Sequence, residues 1–270
     1  MSRELQQFNS SEFALEVSKG NVPNHSSVNK FGRNIEIDSG VAADVWDGGY
    51  TVASGGTSLI WVAPTQARTH TIASTDANDT SGGTGARTVR ISGLTSWSTA
   101  EVSEDITMNT GSPPVTSNSY VIIHRMFVLT KGATSVNIGD ITATATTDGT
   151  VTARIRPGEG QTQMAIYGIP STQSMYIGRI YANMNKASGG GASTGYTDAH
   201  LCVNPEPDSE LSNFLVKHTF GLSLDGTSAF LVPYYVPKII AGPAIVKIQI
   251  ASGTNNMDVS AGFDAYIIDN

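Results

Sequence analysis

Apolar and polar residues alternate with a period of two through most of the chain after residue 50. Within 100–108, for example, Val102, Ile106 and Met108 fall on one side. Such alternation predicts strands with one buried face, and Gly, Asn, Asp and Pro clusters separate these segments. The predicted strands are 58–63, 69–74, 86–92, 100–108, 120–130, 139–147, 149–155, 162–170, 174–184, 198–204, 214–222, 229–235, 244–251 and 260–269.

This number of strands exceeds what one small sandwich contains. The sequence therefore predicts an all-β fold, an antiparallel jelly-roll-like β-sandwich built as one large or two consecutive β-units, with an extended N-terminal arm. We divide the chain into an arm over 1–49 with at most one short helix, a β-rich unit over 50–158 and a β-sandwich unit over 159–270. No period of 20 to 50 residues recurs, so a propeller or a β-solenoid is not expected.

The first fifty residues differ from the rest, because they contain no Thr whereas residues 51–150 contain 21. A serine near position 10 can cap a short helix with Phe13 and Val17 on one face. Residues 21–34 show no period that would bury a face, which indicates an extended arm. An arm of this kind is ordered only when something holds it, and a neighbouring subunit is the simplest candidate.

The composition restricts the partners. Charged residues make up 14% of the chain and the net charge is -7, with no clustered run of Lys and Arg. Phosphate contacts need such clusters, so we expect no nucleic-acid partner. The start lacks the apolar region of a secretion signal, and the most apolar stretch, 230–250, contains three prolines and two lysines. We therefore expect no membrane partner and synthesis in the cytoplasm.

Motifs of catalysis do not appear in the sequence. No G-x-S-x-G string occurs, and the glycine-rich segment 82–87 leads into a strand rather than into the helix of a P-loop. The single cysteine, Cys202, lies in strand text and is expected to be a buried, inert thiol. Carboxylates that could pair for glycoside hydrolysis, or simply line a solvated face, are Glu101, Glu104, Asp105 and Glu159. We expect neither enzyme activity nor a cofactor.

One acidic loop offers a weak metal site. Glu206, Asp208 and Glu210 occupy alternate positions of an extended segment, where their oxygens could converge on Ca²⁺ or remain solvated.

One apolar segment favours association. Residues 231–243 are long, apolar and aromatic, with prolines that cannot lie inside a central strand, which suits an edge or a crossing loop. Two interpretations stay open: a loop buried over the core, or a contact between subunits. The interface residues that we predict are Phe13, Val17, Phe31, Tyr234 and Tyr235.

Several strings resemble a known group of proteins. They are VNKFGRN (28–34), DVWDGG (44–49), GTGARTVRISGL (83–94), EVSEDITMN (101–109), GQTQMAIYGIP (160–170) and GFDAYIIDN (262–270). They are similar to virion structural proteins of tailed bacteriophages that infect aquatic bacteria, over most of the chain from Val28 onward. The resemblance implies a virion component, made in the host cytoplasm, with no known active site.

The leading hypothesis is an external accessory protein that decorates or cements the capsid. It would form a homo-oligomer and bind other phage structural proteins, capsid or tail subunits, through its arm and its sandwich. Removal of residues 1–40 would then abolish particle binding and leave the body folded. The alternative is a tail-associated or tail-fibre adhesin that binds host surface glycans through loops such as 186–196.

Overall fold

A computed structural model describes residues 10–47, 59–134, 136–186, 194–209 and 212–270. These ranges contain one helix and fifteen strands, and every strand pairing in them is antiparallel, which confirms the all-β antiparallel fold. The elements are α1 (Ser10–Ser18), β1 (His25–Ile37), β2 (Ala42–Asp44), β3 (His70–Ser74), β4 (Ala86–Leu94), β5 (Val102–Thr107), β6 (Ile122–Lys131), β7 (Ile141–Ala145), β8 (Val151–Ile155), β9 (Ile166–Ile169), β10 (Gln173–Lys186), β11 (Tyr196–Asn204), β12 (Leu215–Ser223), β13 (Ala229–Ala241), β14 (Ala244–Ser252) and β15 (Met257–Asp269).

The last six strands form a two-sheet sandwich together with the first two. Sheet A has the order β1-β15-β10-β13, and sheet B has the order β12-β11-β14-β2, with β9 also paired to β14. The chain therefore passes repeatedly between the two sheets, as in jelly-roll-like folds. Side chains of both sheets meet in one hydrophobic cluster, here cluster 1, which includes Ile177, Leu201, Ile248 and Phe263.

Two three-stranded sheets form the rest of the body. Sheet C has the order β3-β7-β8 and sheet D the order β5-β4-β6. They enclose a second hydrophobic cluster, cluster 2, with Trp61, Ile72, Ile91 and Ile123 among its fully buried members.

Sheet B lies between the two clusters and contributes side chains to both. On β9 and just before it, Ala165 and Tyr167 belong to cluster 1 whereas Ile166 belongs to cluster 2. The same alternation occurs on β14, where Val246 faces cluster 1 and Ile245 faces cluster 2. Because successive side chains of a strand point to opposite faces, sheet B supplies one face to each core. The predicted boundary between residues 158 and 159 lies between β8 and β9.

The predicted short helix is present. α1 ends where Gly20 takes a positive φ of 73°, and the helix buries Val17 and half-buries Phe13. The Phe13 ring lies 5.8 Å from the ring of Tyr266 and 5.7 Å from that of His25. The helix thus packs on the chain's own sheet A.

The expectation that a partner orders residues 21–34 is wrong for most of that segment. Residues 25–34 are part of β1, which pairs with β15 in continuous register from His25↔Ile268 to Asn34↔Val259. Gly32 allows β1 to approach its other neighbours closely, since a Cβ there would lie 2.7 Å from Gln163 O and from Val45 O. The C-terminal strand of the same chain, and not another subunit, holds this segment.

Other expectations near the turns and aromatic residues need correction. Leu59–Ala63 is not a strand, and Ser58 lies outside the described residues. β7 and β8 form a hairpin, and the Asp148-Gly149 sequence between them favours a type I′ turn; the turn is of another type, because only Gly149 has a positive φ. The turn-like sequence around Trp46 favours a surface position for this residue, but Trp46 is 1% exposed because its ring belongs to cluster 2.

Candidate functional site

One side of the A–B sandwich is open. β13 is the edge strand of sheet A and β12 is the edge strand of sheet B. The two edges lie together, since Phe220 stacks on Phe230 at 5.9 Å and His218 meets Tyr234 edge-on at 5.6 Å. Lys238 Nζ also donates to Lys217 O at 2.9 Å. We call the surface formed by β12 and β13 the open edge.

A bulge projects from the open edge. β13 pairs with β10 at Arg179↔Pro233 and again at Ile177↔Lys238, so four residues, Tyr234–Pro237, lie opposite Gly178 alone. Tyr235 is 96% exposed and Val236 is 83% exposed as a result. Prolines at both sides fix φ and remove backbone donors, which discourages pairing with another strand. The bulge therefore presents side chains, rather than backbone, to a partner.

Exposed apolar residues concentrate on this surface. Of the thirteen large apolar side chains that are exposed in the described ranges, seven lie on the open edge: Leu215, Val216, Phe230, Leu231, Tyr235, Val236 and Ile239. Single exposed apolar residues are ordinary on a protein surface, whereas a contiguous group marks an interaction site.

The structure distributes the predicted interface residues over two places. Tyr234 and Tyr235 lie on the open edge, where Tyr234 packs inward against cluster 1 and Tyr235 points outward. Phe31 lies on the opposite edge strand of sheet A, with 37% of its surface exposed. Val17 is buried, so it cannot contact a partner as the structure stands, and the half-buried Phe13 already packs on Tyr266. Residues 231–243 are not a loop buried over the core.

We call the part of the body formed by sheets C and D the second unit, and a polar cleft of about 370 Å³ lies where β1 meets it. Its lining includes Lys30 on β1, His124 and Arg125 on β6, Tyr167 on β9, and Glu101 just before β5. Lys30 is 8% exposed and its Nζ donates to the backbone oxygen of His124.

The carboxylate of Glu101 connects the groups of this cleft. Glu101 Oε2 accepts a hydrogen bond from His124 Nε2 at 2.7 Å and one from Tyr167 Oη at 3.5 Å. The His124 ring stacks on the Tyr167 ring at 4.4 Å. His124 Nδ1 is buried without a hydrogen-bond partner.

Burial sets the charges of the cleft. Burial lowers the pKa of Lys30 to about 7, and the positive charge of Arg125 acts in the same direction, against Glu101. Burial also lowers the pKa of His124, despite the hydrogen bond to Glu101. For Glu101, burial acts to raise the pKa, but the hydrogen bond from His124 and the charge of Lys30 help to bring it below its usual value. At neutral pH the cleft thus holds an ionised Glu101 and a neutral His124. The Lys30 amine is then partly protonated and partly neutral.

The other predicted acids are engaged elsewhere. Glu104 accepts the backbone N–H of Ser117 at 2.9 Å, Asp105 pairs with Arg90 at 2.6 Å, and Glu159 accepts from the Gln163 amide. Glu101 instead bonds to His124 in the cleft.

The predicted calcium loop is only partly described. Glu206 and Asp208 are exposed, and Glu210 lies outside the described residues. The Glu206 N–H donates to Asn204 Oδ1 at 3.1 Å. No group of three or more acidic, His or Cys residues that could hold a metal occurs in the ranges searched.

Sequence reasoning singled out part of the open edge but missed the cleft. The prolines and aromatic residues of 231–243 were compatible with an edge or with a crossing loop, and the structure shows an edge strand. The cleft residues Lys30, Glu101, His124 and Tyr167 come from four distant segments. The one available signal was His124, a histidine inside the apolar predicted strand 120–130, which the structure buries with a hydrogen bond to Glu101.

Comparisons with known proteins identify no family. No protein-family model matches the chain, and no curated protein matches it significantly. Among solved structures, the Gt strain of infectious bursal disease virus gives 10% identity and a TM-score of 0.19, over 91% of this chain and 73% of that one. T=1 particles of a mutant VP2 protein of the same virus give 10% and 0.20, over 98% and 76%. TM-scores this low establish no shared fold.

No helix within the described ranges is long and apolar enough to cross a membrane.

Proposed function

We propose that this chain is a structural protein of a bacteriophage particle, an external accessory subunit that decorates or cements the capsid. It assembles with copies of itself and with neighbouring capsid subunits. The resemblance of its sequence to virion proteins of tailed phages supports its place in a phage particle. The open edge supports its association with other subunits.

The open edge is the observation that carries the proposal. An exposed row of apolar side chains on two adjacent edge strands costs solubility in a monomer, because water contacts apolar surface that a partner would cover. A single Val or Tyr side chain that becomes fully buried at an interface contributes about 1.5–3 kcal/mol. The bulge at Tyr235 and Val236 is anchored at both ends by strand pairing, so little conformational freedom is lost when a partner binds it.

The arrangement of the sandwich suits a scaffold. The side of sheet B away from β12 is occupied by β2 and β9, through which cluster 1 adjoins cluster 2. Within each sheet, the open edge thus lies at the opposite end from β1 and β2. A subunit of this form can bind a neighbour at the open edge without opening either core.

The N-terminal arm contributes fewer residues to contacts with the particle than the sequence indicates. Residues 25–37 belong to sheet A, so particle contacts of the N-terminal region are left to α1 and to the residues that precede it. Leu15 on α1 is exposed and is available for such a contact.

A tail-associated adhesin that binds host surface glycans is the second candidate. The observation that favours it is the polar cleft at Lys30, which has the size and the hydrogen-bonding groups of a small-ligand site. The loop 186–196 was the sequence-based candidate for glycan contacts, and residues 187–193 of it lie outside the described residues.

Cryo-electron microscopy of particles that contain the chain distinguishes the two functions. We expect density for the two-unit body repeated over the icosahedral shell, with neighbouring subunits in contact at β13. Density confined to the tail would contradict decoration and support the adhesin. Absence of the chain from purified particles, measured by mass spectrometry, would contradict both.

A further inference from the structure

We propose that the cleft between β1 and β6 binds the oxyanion of an acidic sugar, a carboxylated or phosphorylated one, between Lys30 and Arg125. This site is independent of the open edge and goes beyond a role in assembly.

The charges around the cleft are unbalanced. Arg125 is exposed at the rim, and it has no ion-pair partner among the residues that the structure describes; its guanidinium lies 4.8 Å over the Phe127 ring. Lys30 lies buried beside it, and the nearby carboxylate of Glu101 is already bound by His124 and Tyr167. Two cations therefore share one carboxylate, and its Oε2 already accepts two hydrogen bonds. An oxyanion between Lys30 and Arg125 would remove their mutual repulsion.

The edge of β1 adds donors on the same side. Arg33 donates its N–H to Gln163 O and not to β15. In an antiparallel pair the backbone groups of alternate residues point to the same side, and the register is continuous back to His25. Ser27 and Asn29 therefore direct their N–H groups away from β15, toward the side where the cleft lies.

The neutral lining suits the rest of a sugar. Besides the charged groups, the cleft is lined by two serines, Ser26 and Ser27, and by Gln173, whose amide Nε2 donates to Asp269. Hydroxyl and amide groups donate and accept hydrogen bonds, as sugar hydroxyls require. A volume of about 370 Å³ is at the small end of ligand sites, which fits one sugar unit rather than an oligosaccharide buried along its length.

The protonation state of Lys30 makes the site sensitive to pH. The ionisable groups that face Lys30 are His124 and Arg125 from β6, Glu101 before β5 and Tyr167 from β9. Burial and, to a smaller extent, the charge of Arg125 lower the pKa of Lys30 to about 7. A bound anion would raise this pKa. Binding is then strongest below pH 7 and weakens as the pH rises above it, by at most about tenfold per pH unit.

Calorimetric titration of the full chain at pH 6.5 tests the proposal, with D-glucuronate, glucose 6-phosphate, D-glucose and inorganic phosphate as separate probes. We expect saturable binding of both acidic sugars and at least tenfold weaker binding of glucose and of phosphate. Phosphate that binds as tightly as glucose 6-phosphate would overturn the assignment to a sugar. No binding of either acidic sugar would overturn the site.

A pair of variants on one strand controls for net charge. Arg125 and Lys131 both lie exposed on β6, but only Arg125 lines the cleft. We expect Arg125→Gln to weaken binding of glucuronate at least tenfold and Lys131→Gln to change it less than twofold. Equal effects of the two substitutions would show a general charge effect and would overturn the proposed site. Because both side chains are exposed, neither substitution is expected to unfold the protein.

Discussion

Asp44 on β2 and Lys247 on β14 form an ion pair of 2.6 Å on the face of sheet B that adjoins cluster 2. Both side chains are almost fully buried. The second unit contacts the pair directly, because the Trp61 N–H donates to Asp44 Oδ2 at 2.9 Å. Lys247 Nζ also lies 4.0 Å from the ring centre of Phe214, which precedes β12 and packs against cluster 2. Gln249 supplies a further hydrogen bond to Asp44 Oδ1. The pair thus joins the sandwich to the second unit.

Lys247→Met should lower the free energy of unfolding by about 3–5 kcal/mol, because it leaves the carboxylate of Asp44 buried without its cation. Urea denaturation measures this loss. Lys131→Met, which removes an exposed lysine of β6, serves as the control. Its free energy of unfolding should stay close to that of the wild type. The double variant Asp44→Asn with Lys247→Met should lose less free energy of unfolding than the two single variants lose together, because no charge remains buried in it. Additive losses would contradict direct coupling of the two residues.

Asp79→Ala should also destabilise the protein strongly. Asp79 is fully buried, and its carboxylate accepts the N–H groups of Ala86 at 2.8 Å, Ile138 at 3.0 Å and Gly139 at 2.8 Å. Each buried N–H left without a partner costs about 1–3 kcal/mol, so we expect a loss of roughly 4 kcal/mol in urea denaturation. Asp105→Ala, which removes an exposed carboxylate, is the matched control and should have little effect. A loss at Asp79 no larger than this control would show that water replaces the carboxylate.

Deletion of residues 1–40 should prevent folding, contrary to the expectation from sequence. The deletion removes β1, whose partner β15 lies beside it along its whole length, and also Ile37 of cluster 1. Circular dichroism should show loss of cooperative thermal unfolding. Deletion of residues 1–9, which lie before α1, is the control and should retain the transition. A cooperatively unfolding chain that lacks residues 1–40 would mean that β1 is dispensable.

The pH dependence of stability should include a contribution of His70. Burial lowers the pKa of His70 to about 4, although its bond to the Arg68 carbonyl opposes this, and the ring is fully inaccessible to water. The unfolded chain takes up a proton below about pH 6.5 while the folded protein does not. Stability is therefore complete above pH 6.5 and falls as the pH decreases toward 4.

Denaturation at pH 7.5 and pH 5 measures this effect. The loss between the two pH values should be about 2 kcal/mol smaller in His70→Gln than in wild type. The same pH dependence in wild type and His70→Gln would contradict the assignment.

The sequence predicted strands well where one face is buried. Alternation located β4, β5 and β15, because their inward positions are apolar and their outward ones polar. β1 was missed because its inward residues include Lys30, Gly32 and Asn34, which are polar or small and satisfied by distant partners. A hydrophobic pattern cannot show a strand that is held by backbone pairing and buried hydrogen bonds.

The candidate sites differ in the same way. The β13 part of the open edge left a local signal, prolines and aromatic residues close together in 231–243, which was compatible with an edge or with a crossing loop. The cleft depends on the register of β1 against β15 and on the packing of β6 and β9, which bring distant residues together. Only the fold supplies that information.

The most direct test of the account is the self-association of the protein at its open edge, measured by sedimentation velocity over a range of concentrations. We predict that the wild type forms oligomers and that Tyr235→Ser with Val236→Ser weakens association by about 3 kcal/mol or more, which is more than a hundredfold. Val115→Ser, an exposed apolar position outside the open edge, should associate as the wild type does. A wild type that stays monomeric at every concentration, or a double variant that associates unchanged, would contradict the account.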